Sequence, residues 1–172
     1  MSWSEARRAL ARLALLTAAA LALAGCGFHL RGDVSYPFST IYVNATPSIP
    51  MGVELNRVLQ SATDLKLAAK PAEAQVILDL TSVIDDKSVL SLSSGGRVRE
   101  YLLIKRVGFN VHDNAGLEWL PQNEITIRRS YTFNESEVLA REAQENRLLR
   151  EMQTDAVQQI LRRLQAAKKP AG

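Results

Sequence analysis

Two hydrophobic periods divide this 172-residue chain. Over Met51–Thr63 the apolar residues Leu55, Val58, Leu59 and Ala62 recur every three or four positions, which predicts a one-sided helix of about three turns. A short strand, Thr40–Asn44, precedes it, and Thr46-Pro47 and Ile49-Pro50 punctuate the exit. Leu65–Ala69 reads either as a strand or as the exit of the helix. From Gln75 the period drops to two. Val76, Leu78, Leu80 and Ile84 are expected on one face, with Asp79 and Thr81 opposite, in a strand continuing toward Leu92. Ser93-Ser94-Gly95-Gly96 is a hairpin signal. Arg97–Val111 returns as a second strand with Tyr101, Leu103, Val107, Phe109 and Val111 on one face. Asp113-Asn114-Ala115-Gly116 turns the chain again into a polar loop holding Trp119 and Pro121. A third strand, Glu124–Phe133, aligns Ile125, Ile127, Tyr131 and Phe133. Asn134 with Glu137 three residues later forms a helix-capping pair, and the helical period then runs to about Ala167. Its stripe is Leu149, Met152, Ala156, Ile160 and Leu164, widened by Leu148, Val157 and Leu161, and Lys168-Lys169-Pro170 ends it.

The order strand, helix, three strands in meander, long helix predicts an α+β fold. We expect a two-layer sandwich with a mostly antiparallel four-stranded sheet packed on two helices, all within residues 40–172. The three later strands are long enough to project past the helices as a β-ribbon.

The N-terminus follows a different logic. Arg7, Arg8 and Arg12 precede an apolar run, Leu13–Ala24, which is too short for the ~20 residues of a membrane-spanning helix. The run closes on Leu23-Ala24-Gly25-Cys26, a charged, apolar, small-residue order that marks an export signal over residues 1–25. The ending looks like a bacterial lipobox, in which the sulfur of Cys26 receives a diacylglycerol, the chain is cut before it, and the new amino group is acylated. Gly27, rather than Asp, resembles the sorting signal for the inner, periplasmic leaflet of an outer membrane. Residues 26–39 read as the lipidated tether. Acyl chains worth ~0.8 kcal/mol per buried CH₂ would hold such a protein on its membrane.

Removing the signal changes the charge. It takes three of the 21 basic and one of the 18 acidic residues, leaving 18 against 17 over 147 residues. A net charge of +1 argues against a general nucleic-acid binder. Cys26 is the chain's one cysteine, so no internal disulfide is available.

No constellation for catalysis stands out, and neither an enzyme nor a cofactor is expected. His29 and His112 are isolated, with no metal-ligand spacing around them. Asp85-Asp86 are neighbours on a strand and point to opposite faces, which suits a solvated edge or bulge better than a carboxylate dyad. Ser91, Ser93 and Ser94 lack a nucleophile elbow, and the hairpin is not a phosphate loop. The cations carry more information. Arg97 and Arg99 flank the hairpin, Lys105-Arg106 and Arg128-Arg129 sit mid-strand, and Arg141 opens the long helix. Arg99, Lys105 and Arg129 share parity with apolar neighbours. Charges so placed either snorkel to the rim and blunt strand edges, or meet an anionic amphiphile.

Cys26-Gly27-Phe28-His29-Leu30-Arg31 resembles the start of mature members of the LPS-assembly lipoprotein LptE family, which read Cys-Gly-aromatic-His-Leu-Arg. Arg129-Ser130-Tyr131, Leu139-Ala140-Arg141 and the glycine hairpin before Glu100-Tyr101 extend the resemblance across the mature chain. It implies a non-enzymatic plug inside the outer-membrane β-barrel LptD that assists the barrel's assembly and contacts lipopolysaccharide (LPS) on its way outward. It also implies an LPS-contact role for Arg141, and one at the hairpin that falls on Arg97, with Arg99, Arg129 and Lys105 as further candidates. The long polar C-terminal tail of some members is lacking.

Overall fold

The computed structural model describes Trp3 and residues 35–46, 49–133 and 138–170, with side chains from Glu142 onward in the last stretch. The signal, Cys26, His29, the first part of the tether and the Asn134/Glu137 pair lie outside the described residues. Val34–Gly172 form one compact unit.

Strand β1 (Thr40–Asn44) leads to helix α1 (Pro50–Gln60) and a two-residue strand β2 (Lys66–Leu67). Three long strands follow, β3 (Val76–Leu92), β4 (Val98–His112) and β5 (Glu118–Thr132), then helix α2 (Val138–Ala166). The fold is α+β, as expected, but the sheet has five strands in the order β2-β1-β3-β4-β5 rather than four. The addition is the Leu65–Ala69 segment. Lys66 N–H donates to Ser39 O at 2.9 Å and Ala68 N–H to Ile41 O at 2.8 Å, so β2 lies parallel to β1 at the sheet edge. β1 is also parallel to β3, and β3, β4 and β5 run antiparallel.

Pro50 starts α1 rather than ending the preceding loop, since at the first helical position its missing N–H costs nothing. Met51, Leu55 and Leu59 are its buried stripe. α2 spans 29 residues, about 44 Å. Its buried side chains, Met152, Ala156, Val157, Ile160, Leu161 and Leu164, belong to the C-terminal half and pack with α1 on the same sheet face. Glu54 of α1 joins the helices by accepting from Gln153 Nε2 at 2.6 Å and Thr154 Oγ1 at 3.0 Å.

Ile41, Val76, Leu78, Val107, Phe109 and Ile125 are among the strand residues of the core. Tyr36 and Phe38, within the stretch read as tether, also pack there, with Phe38 3% exposed and edge-on to Trp119 at 5.9 Å. Trp119 is not in a loop, because β5 begins at Glu118. The register runs Phe109↔Asn123 and then Val111↔Leu120, so β5 bulges around Pro121. That residue is tolerated because β5 is an edge strand.

A second bulge changes which side chains meet the helices. Leu78 pairs with Val111 and Leu80 with Phe109, but beyond Thr81 the partners of Val107, Lys105 and Leu103 are Val83, Asp85 and Lys87. The inward parity of β3 passes from even to odd. Ile84, expected beside Leu80, therefore lies opposite Arg106 on the outer face and is 45% exposed. Gly108 sits opposite this bulge. A Cβ there would stand 2.6 Å from Ser82 Oγ and 2.7 Å from Thr81 Oγ1, while Gln122 Nε2 reaches across to Thr81 Oγ1 at 2.7 Å. The turns at Gly96 (φ +75°) and Gly116 (φ +81°) use the left-handed region open to glycine.

Candidate functional site

Beyond the Thr81 bulge, β3, β4 and β5 continue as a ribbon with two dissimilar faces and a hairpin end. The cations singled out in the sequence divide among these three surroundings.

The inner face carries an ion-paired ladder beneath α2. Lys105 is the one buried charged residue among those described, and its Nζ lies 2.6 Å from Asp85 Oδ1 across the β3–β4 pair. Arg129 Nη2 reaches Asp155 of α2 at 2.7 Å. Further out, Lys87 pairs with Glu145 of α2, and Tyr131 Oη donates to Glu145 Oε2 at 2.5 Å. The Lys87 ammonium also sits 4.5 Å above the Tyr101 ring, which stacks on Tyr131 at 5.7 Å and meets Phe133 edge-on at 5.4 Å. Burial disfavours the Lys87 ammonium, but hydrogen bonds with Glu145 and Tyr131 outweigh it, and its pKa stands above the ordinary lysine value. Burial, reinforced by Glu145, pushes the Tyr131 phenol up. Lys105 and Arg129 thus hold the ribbon together and hold it to α2.

The outer face mixes apolar and basic groups in cross-strand rows. Ile84, Arg106 and Thr126 form one, Asp86, Ile104 and Arg128 the next, and Ser88, Leu102 and Ser130 a third. Arg106 pairs with Asp86. Asp85 and Asp86 do point to opposite faces, each matched by a cation of β4. Arg128 is exposed and has no carboxylate partner among the described residues.

The hairpin end carries Arg97 and Arg99, both exposed. Ser93 N–H donates to Arg97 O at 2.7 Å, and Arg97 N–H donates to Ser93 Oγ at 3.2 Å, closing the turn. Ser91 Oγ donates to Glu100 Oε2 at 2.7 Å. Arg141 lies in the first turn of α2, and its side chain falls outside the described residues. The structure therefore brings Lys105 and Arg129 together under α2, and Arg97 and Arg99 together at the tip.

At the opposite end of β4, His112 is held through both ring nitrogens. Its Nδ1 faces Asp113 O at 2.8 Å and its Nε2 faces Asp79 Oδ2 at 3.0 Å, while Asp79 Oδ1 accepts from Asn44 Nδ2 at 2.6 Å. Both imidazole nitrogens meet acceptors, so the doubly protonated ring satisfies both bonds, and the Asp113 carbonyl, against burial and with Asp79, raises the pKa above 6.5. Isolation in sequence hid this cluster, since its partners come from three strands. Among the described residues no group of three or more His, Cys, Asp or Glu is placed to hold a metal ion, and no helix is long and apolar enough to cross a membrane.

A family model described as "LptE: Lipopolysaccharide-assembly" matches residues 38–164. The LPS-assembly lipoprotein LptE of Photorhabdus laumondii is 28% identical over 152 residues, covering 87% of this chain and 82% of that protein. Among solved structures, an uncharacterized lipoprotein B from Nitrosomonas europaea superposes with a TM-score of 0.72 at 38% identity, over 81% of this chain and 91% of its own. The rare lipoprotein B of Shewanella oneidensis gives 0.65 at 25% identity, over 74% and 95%.

Proposed function

This chain belongs to the LptE family of lipopolysaccharide-assembly lipoproteins, and from that membership we propose a non-enzymatic partner for the outer-membrane β-barrel LptD that contacts LPS through its ribbon end. In this reading acyl chains on Cys26 anchor the protein at the periplasmic leaflet, the folded body enters the barrel and assists its assembly, and Arg97, Arg99 and Arg141 meet LPS phosphates.

The observation that carries the LPS contact is the placement of two exposed arginines at the hairpin end. Lys105, Arg106 and Arg129 each have a carboxylate of this chain within ion-pair distance. Arg97 and Arg99 are both exposed at the hairpin end. An arginine fork offers two parallel N–H donors to a phosphate, and the bond strengthens when the acceptor is ionised. The outer ribbon face, with Ile84, Ile104 and Leu102 set between arginines and hydroxyls, suits the polar wall of a barrel lumen.

Two measurements test this. Affinity capture of the lipidated protein from detergent-solubilised outer membranes is expected to bring down a large β-barrel at equal stoichiometry, and its absence would refute the partnership. Arg97→Glu, Arg99→Glu and Arg141→Glu together are expected to weaken LPS binding at least tenfold, about 1.4 kcal/mol, with an unchanged circular dichroism spectrum. Unaltered affinity removes the ligand role from these positions.

A further inference from the structure

Exposed aliphatic side chains concentrate at one place in the described residues. Val89, Leu90 and Leu92 are 50%, 48% and 58% exposed, within four consecutive positions at the far end of β3. Val53, Ile84 and Leu117 are exposed too, but singly, as is ordinary on a protein surface. Two register shifts between Val89 and Leu92 take this stretch out of the regular pleat, and such bulges re-aim side chains. Across the hairpin stand Arg97 and Arg99. Edge protection accounts for the arginines but not for leucines, which make an open strand end more prone to aggregate. Aliphatic groups set beside guanidinium groups complement one chemistry, an amphiphile with hydrocarbon next to phosphate.

We propose that Val89, Leu90 and Leu92 form an acyl-chain contact for LPS, so that the hairpin end engages hydrocarbon as well as phosphate. The proposal rests on the LPS contact argued above and adds the lipid portion that these residues select.

The test uses residues 27–172, since the unit Val34–Gly172 contains the whole packed core. That fragment lacks cysteine, so Leu92→Cys can carry a polarity-sensitive fluorophore, with Leu117→Cys, in the turn at the other end of β4, as control. The ligands are intact LPS, fully deacylated LPS retaining its phosphates, and phosphatidylglycerol vesicles. A blue shift at position 92 with intact LPS alone, and none at position 117, is expected. Leu90→Ser with Leu92→Ser is expected to weaken binding of intact LPS about tenfold and to leave the deacylated form within about twofold. Equal affinity of the unmodified protein for both LPS forms, or an unaffected double variant, overturns the acyl contact while the phosphate contact stands. A shift with vesicles as large as with LPS overturns it in favour of general membrane insertion. Binding of neither LPS form removes the LPS reading itself.

Discussion

Removing the carboxylate of Asp85 isolates a buried charge. The Lys105 side chain is 3% exposed, that of Asp85 is 45% exposed, and no other carboxylate among the described residues pairs with Lys105. Breaking a fully buried ion pair by deleting one partner costs roughly 3–5 kcal/mol, because the remaining charge keeps its desolvation penalty without compensation. Asp85 is half in solvent, so water reaches one side of the pair, and we expect about 2–3 kcal/mol for Asp85→Ala. For a domain of this size that lowers Tm by about 8–12 °C. Lys105→Met gives the opposite expectation. It keeps an unbranched stem among Leu103, Val107 and Ile127, removes the buried charge, and leaves only a half-exposed acid behind, so stability should stay within about 1 kcal/mol of the parent. The double variant should match Lys105→Met, giving a coupling energy of about 2 kcal/mol in a double-mutant cycle. Urea denaturation of the four proteins measures every term. A Tm for Asp85→Ala equal to the parent, or a loss for Lys105→Met as large as that for Asp85→Ala, would refute the reasoning.

Further outcomes follow from other sites. His112 has a raised pKa in the folded protein, so its contribution is complete below the unfolded value near 6.5 and declines as pH climbs through the higher folded value. The urea midpoint should therefore fall between pH 6 and pH 8 by more in the parent than in His112→Gln; identical slopes would contradict this. Gly108→Ala pushes a methyl group against Ser82, Thr81 and Gln122 and should cost about 1–3 kcal/mol in chemical denaturation. Cys26→Ala should move the protein from the membrane pellet to the soluble fraction, and its retention in the pellet would assign attachment to protein contacts instead.

Much of the fold was legible from periodicity, because burial on one side imposes the period directly. The stripe Met152-Ala156-Ile160-Leu164 and the row Val107-Phe109-Val111 lie where their spacing puts them. The places that escaped are those where the backbone breaks its own rule. Thr81 adds one residue to β3, and nothing in its side chain announces that Ile84 will face outward and Asp85 inward. Pro121 reads as a loop because a proline inside a strand is disfavoured, and only the edge position of β5 excuses it. β2 has two residues, too few to show any period, and exists because β1 offers it an edge. The basic residues were visible as a group, but their division was not. Whether a strand arginine is spent on an internal carboxylate depends on register and on the height of α2, which are tertiary facts.

The extra residue at Thr81 works as a phase shifter for everything beyond it. Delete it, and the far part of β3 turns over: Ile84 and Asp86 would point under α2 while Asp85 and Lys87 pointed to solvent, leaving Lys105 without Asp85 and Glu145 without Lys87. The hairpin at Ser93–Gly96, open on all sides around both glycines, could gain or lose residues with little penalty. Length variation within this lineage should accordingly accumulate at the loop and be purged at the bulge, a few residues away on the same strand.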